Sequence, residues 1–139
     1  MINHLSSFPM GWNRRILTLD DFYAQAEKEN IIVREADIGT PGAYIRLCNH
    51  IIFLSSNLTT WKKALVAWHE YAHFKLHPPG RYHYLGERSK AEEEAQIFAT
   101  CALVPEPFCQ SGMDVVESEY GYPEILLKYR YWIYDRYGF

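Results

Sequence analysis

Cysteine is scarce in this chain: Cys48, Cys101 and Cys109 are the only three, and no two form a CxxC pair. That spacing excludes a cysteine zinc knuckle and gives no disulfide framework, which points to a reducing setting. Long apolar runs are missing too. No stretch approaches the ~18 residues that a membrane span needs. The opening MINHLSSFPMGWNRR has no apolar run of the kind a secretory signal carries. A cytoplasmic location with no membrane association is the expectation. Basic clusters are sparse: the longest is Lys62-Lys63, and the formal net charge is −3. A protein that grips phosphates shows a basic patch, so no direct nucleic-acid partner is expected. Internal repeats and low-complexity segments are also absent.

What is present suits one compact domain covering residues 1–139, with 48% hydrophobic and 22% charged residues. A chain of that size buries a core without disulfide staples. Residues 18–30, TLDDFYAQAEKEN, read as a helix capped by Thr18, with Asp20 and Asp21 at its positive end and Asn30 as its stop. IIVREA, AYIRL and HIIFLS read as three short strands of a mixed or antiparallel sheet, with Pro41 and Gly42 in a turn between them. NLTTWKKALVAWHEYAHFKLH carries Ala64, Leu65, Trp68, Ala72 and Leu76 at helical spacing, and Pro78-Pro79-Gly80 ends it. SKAEEEAQIFATCALV predicts a further helix, with Ser89 as N-cap, Glu92 completing a capping box, and Ala91, Ala95, Phe98, Ala102 and Leu103 buried. Pro105 and Pro107 close it, a polar loop follows, and PEILLKYRYWIYDRY reads as a final helix. A helix, three strands and several further helices make an α+β domain.

The second helix contains His69-Glu70-Tyr71-Ala72-His73, an HExxH pattern. Histidines at i and i+4 share one helix face and can both reach one zinc ion at about 2.0–2.1 Å. Glu70 stands one step round the helix, where it can take a proton from water and pass it to a leaving amine. Two histidines do not complete a catalytic zinc site, which needs a third protein ligand and an open position. The positions where HExxHxxGxxH would place its glycine and third histidine hold Leu76 and Pro79. Candidates on the next helix are Glu92, Glu93 and Glu94. Glu92 shares a stripe with Ala95, Gln96 and Ala99, and the two alanines let the helices approach closely, so Glu92 is preferred. Gln96 can then hydrogen-bond a ligand histidine. His77 falls at the helix end and reads as a C-terminal cap rather than a ligand.

AWHEYAHFKLH followed by EEEAQIFATCALVP resembles the ImmA/IrrE-type zinc metallopeptidases of bacteria, phages and integrative elements. The second segment is similar to that family's ExEAxxFAxxLLxP signature through Glu92, Glu94, Ala95, Phe98, Ala99, Leu103 and Pro105. YGYPEILLKYR also looks like the family's closing helix region. The resemblance implies a gluzincin-like α+β fold and zinc held by His69, His73 and a downstream glutamate. In related gluzincins that glutamate opens a Glu-xxx-Asp or Glu-xxx-Asn stripe, which again points to Glu92, with Gln96 departing from the pattern. The resemblance further implies proteolysis of a protein substrate, such as a helix-turn-helix repressor. The chain is too short to add a DNA-binding domain of its own, so a DNA-linked role would run through that partner.

The expected activity is therefore a zinc endopeptidase with Glu70 as general base and then acid. Tyr82, His83 and Tyr84 are candidates to stabilise the oxyanion. The alternative is a zinc-binding regulatory interaction module with little proteolysis, recognising a repressor or an antitoxin-like regulator. Tyr131, Trp132 and Tyr134 of the final helix would supply its contact surface, although packing in the core is their more ordinary use.

Overall fold

The computed structural model describes residues 8–77 and 85–139. The first helix, α1 (Leu19–Lys28), starts where Thr18 and Asp21 close a reciprocal capping box, each side chain accepting from the other residue's main-chain N–H. Asn30 leaves the helix in the left-handed region at φ 59°, a conformation asparagine tolerates better than most residues. Strands β1 (Ile31–Ala36), β2 (Gly42–Arg46) and β3 (His50–Ser55) follow. They form a mixed sheet in the order β1-β3-β2, with β1 parallel and β2 antiparallel to β3.

Five helices complete the described residues: α2 (Thr60–Leu76), α3 (Leu85–Leu103), α4 (Pro107–Gln110), α5 (Met113–Tyr120) and α6 (Glu124–Tyr137). The α+β class holds. None of these helices is long and apolar enough to cross a membrane.

Three expectations need correction. Ser89 is not a cap, because α3 begins a turn earlier, at Leu85. The capping box with Glu92 does not form, and that carboxylate turns to the histidines of α2 instead. The stretch expected to be a polar loop holds α4 and α5. These were hard to see because α4 is only four residues long and α5 buries only Val116, leaving no apolar period to read. Gly42 is not a turn residue. It opens β2, and a Cβ there would lie 2.5 Å from Val66 Cγ1 and 3.3 Å from Glu70 Cγ. The glycine is what lets the sheet edge press onto α2.

The core lies where α2 meets the sheet, α1 and α3. Ile52 and Leu54 of β3 are fully buried, as are Phe22, Trp68, Tyr71 and Phe98. Phe22 meets Trp68 edge to face at 5.6 Å, a favoured aromatic geometry. The segment before α1 packs on α3: Trp12 stacks on Phe98 at 5.3 Å and donates its indole N–H to the Phe98 carbonyl at 3.0 Å.

Glu29, at the end of α1, ties that helix to α2. It accepts from Lys75 Nζ at 2.6 Å, from Gln25 at 2.7 Å and from the Tyr71 hydroxyl. Burial alone would raise its pKa, but these hydrogen bonds and the Lys75 charge hold it below the ordinary carboxylate value. At the other end, Arg130 of α6 is fully buried. Its guanidinium donates to the carbonyls of Val104 and Phe139 and to Asn13 Oδ1, which holds α6 against the end of α3.

Candidate metal centre

Packing fixes the rotation of α2 about its axis. Leu65, Trp68, Tyr71 and Ala72 are buried on its core face, so His69 and His73 are turned toward α3 with side chains 16% and 13% exposed. Across from them, Ala95 and Ala99 are fully buried, and their small side chains let α3 close on α2.

The result is a tight triad of His69, His73 and Glu92. His73 Nε2 lies 3.2 Å from His69 Nε2. The Glu92 carboxylate reaches His69 Nε2 at 3.1 Å and His73 Nε2 at 2.9 Å. A tetrahedral zinc with bonds of about 2.0–2.1 Å holds neighbouring ligand atoms roughly 3.3 Å apart, so the triad is close to the spacing such an ion needs.

The outer ring nitrogens say which atoms face inward. His69 Nδ1 sits 2.9 Å from Gln96 Oε1. A carbonyl oxygen only accepts, so this contact suits the His69 tautomer with its proton on Nδ1, which would turn the Nε2 lone pair to the triad. Glu94 Oε1 lies 3.2 Å from His77 Nε2, and His77 Nδ1 lies 3.0 Å from His73 Nδ1. When His77 donates its Nε2 proton to this carboxylate, its Nδ1 can accept from His73 Nδ1–H. His73 Nε2 is then also a lone pair.

Burial, together with the neighbouring His69, lowers the His73 pKa to about 4, so its ring is neutral near pH 7. With both Nδ1 atoms protonated, two imidazole lone pairs and a carboxylate converge within about 3 Å of one another, the arrangement that a cation among them would neutralise. The donor set thus fits a metal, and these three residues can hold one.

Glu70 is half-buried beside the triad. Burial, and then the charge of Glu92, push its carboxyl up to about 7, while the Tyr44 main-chain N–H pulls the other way. A cleft of about 280 Å³ runs past Gly42, Glu70, His69, Glu92 and Gln96. Glu70 therefore opens to one space with His69 and Glu92 of the triad.

Among the expected site residues, His69, Glu70, His73 and Glu92 come together and Gln96 supports them. Glu94 binds His77 instead, and Glu93 lies apart from the triad on the exposed side of α3. His77 is the C-cap residue of α2, yet it also braces His73. Tyr82, His83 and Tyr84 lie outside the described residues. Tyr131 and Trp132 are exposed by 48% and 41% rather than packed in the core, and Tyr134 is half-buried. Sequence reasoning missed the Tyr44 N–H and the close approach at Gly42. Neither has a spacing signal, because both depend on which strand becomes the sheet edge.

Two helices that bring an HExxH pair to a carboxylate as the third ligand-type group define a domain of metallopeptidase type. The chain belongs to the IrrE N-terminal-like domain family, peptidase M78, whose pattern matches residues 22–111. That span includes both metal helices and leaves α5 and α6 outside it. No curated protein and no solved structure matches the chain.

Proposed function

We propose that this protein is a zinc-dependent endopeptidase, with His69, His73 and Glu92 as the zinc ligands. The observation that carries this reading is the triad with Glu70 in the same cleft. Zinc suits two imidazoles and a carboxylate. When bound, it supplies Lewis acidity to water and to the scissile carbonyl.

The chain's own residues do the rest. Gln96 and His77 orient the histidines. Glu70, half-buried in the same cleft, would accept a proton from water at its carboxylate and hand it to the departing amine. The Tyr44 N–H donates to that carboxylate. The fold works here as one domain in the cytoplasm, on a protein substrate such as a transcriptional repressor or antitoxin-like regulator. The exposed Tyr131 and Trp132 favour a second reading, a zinc-binding interaction module.

Glu70→Gln separates the two. The peptidase reading expects an unchanged zinc content and a cleavage rate lower by about 10²–10⁴-fold on the cognate partner. Full cleavage by that variant would overturn it. Binding of the partner without cleavage by the wild type would favour the module.

A further inference from the structure

We propose that the cavity between α2, α3 and α6 is a subsite for a large apolar side chain of the peptide substrate, next to the scissile bond. The proposal rests on the peptidase reading above and names its substrate class.

The cavity holds about 600 Å³ and is walled by Trp61, Leu65, Ile125, Leu126 and Tyr129. His69, Glu92 and Gln96 line this cavity and also the cleft that holds Glu70. The two spaces therefore adjoin at His69 and Glu92. A chain lying across the triad advances at most ~3.3–3.6 Å per residue, so a side chain beside the scissile bond reaches the cavity. Its volume is in the range of small-ligand sites, about 300–1,000 Å³, and accommodates a leucine or phenylalanine side chain.

The chemistry of the walls selects the occupant. They are apolar, and the charges at the rim, Lys62 and Glu93, are opposite in sign. Glu92, the third charged residue on the lining, is the one turned to the histidines, so the outer walls offer a charged side chain no pocket of one sign. Ile125 is 76% exposed, and a large aliphatic residue left in water on one wall of a cavity gains most from an apolar guest. Along α6, Ile125, Tyr129 and Trp132 stand at i, i+4 and i+7, and Tyr129 stacks on Trp132 at 5.4 Å. The apolar wall thus continues outward along the helix. The wall that α6 contributes lies outside residues 22–111, which the family pattern matches.

The test uses the zinc-loaded full chain and a set of peptidyl hydroxamates that differ only in the side chain beside the metal-binding group. Leucine or phenylalanine should bind at least about tenfold tighter than glycine or aspartate. Ile125→Glu changes an exposed helix position, so it leaves zinc content and melting temperature in place. In that variant the preference should shrink to about threefold or less, with a gain for lysine. Tyr129→Ala should weaken the preference in the same direction. Equal binding of leucine and glycine by the wild type, or a preference untouched by both substitutions, would overturn the proposal. The matching amide peptides report cleavage separately. Cleavage without apolar preference removes the subsite and leaves the peptidase. An intact preference with no cleavage supports the subsite and removes the peptidase.

Discussion

The seam between α2 and α3 contains the same spacing twice. His69 and His73 are one helical turn apart, and so are His73 and His77. Each pair meets a glutamate from α3: Glu92 for the first, Glu94 for the second. The outcomes differ. Glu92 is 59% exposed and faces the cleft, and its two oxygens reach two different imidazoles. Glu94 is 17% exposed, and one of its oxygens is bonded to one imidazole whose other nitrogen is 3.0 Å from His73. The first arrangement collects acceptors around an open point. The second is a hydrogen-bond chain in which donors and acceptors alternate. Identical spacing and residue types therefore give a metal-type cluster at one end of the seam and a brace at the other. What decides between them is which end opens to the cleft.

Disabling the open end should have the largest effect. His69→Ala is expected to lower zinc affinity on the order of 1,000-fold, read by competition with a chromophoric chelator, because one of three protein ligands is lost. The closed end should matter less. His77→Phe keeps a ring but removes the acceptor for His73 Nδ1–H, and should cost about 10–100-fold in zinc affinity. Glu94→Gln keeps a hydrogen-bond acceptor and should cost about tenfold or less. Equal losses at the two ends would erase the distinction drawn between them.

The smallest effect on the seam should come from Glu29→Gln, which leaves the histidines alone. It should lower stability by about 1–3 kcal/mol near pH 7 by weakening the link to Lys75, and leave zinc affinity unchanged. The sign of its pH dependence follows from the native pKa, which is below the ordinary value of 4.5. The unfolded chain binds the proton first as pH falls, so this stabilisation is full above pH 4.5 and is lost on acidification through the lower native pKa. Thermal melts should show the variant approaching the wild type as pH drops through that window.

Much of this was legible in the residues. Thr18 and Asp21 announce the start of α1, and β1 and β3 match their apolar segments from end to end. The HExxH spacing, with Ala95 and Ala99 on the Glu92 stripe, favoured Glu92 over its two neighbours, and Glu92 is the glutamate that lies against His69 and His73. What stayed hidden depends on tertiary placement. Ser89 looked like a cap because Ser-x-x-Glu is a local pattern, yet α3 continues through it from Leu85. Gly42 resembled turn material beside Pro41, and only the approach of α2 shows why a side chain cannot stand there. Ile125 and Tyr129 read as ordinary helix residues until α6 is seen to wall a cavity that ends at His69 and Glu92.

The central claim is that Glu92, rather than Glu94, completes the metal site. Zinc-edge anomalous diffraction from crystals of the zinc-loaded chain tests it most directly. The account predicts one anomalous peak per chain, about 2.0–2.2 Å from His69 Nε2, His73 Nε2 and a Glu92 oxygen. A peak between His77 and Glu94 instead, or none in the triad at saturating zinc, would contradict it.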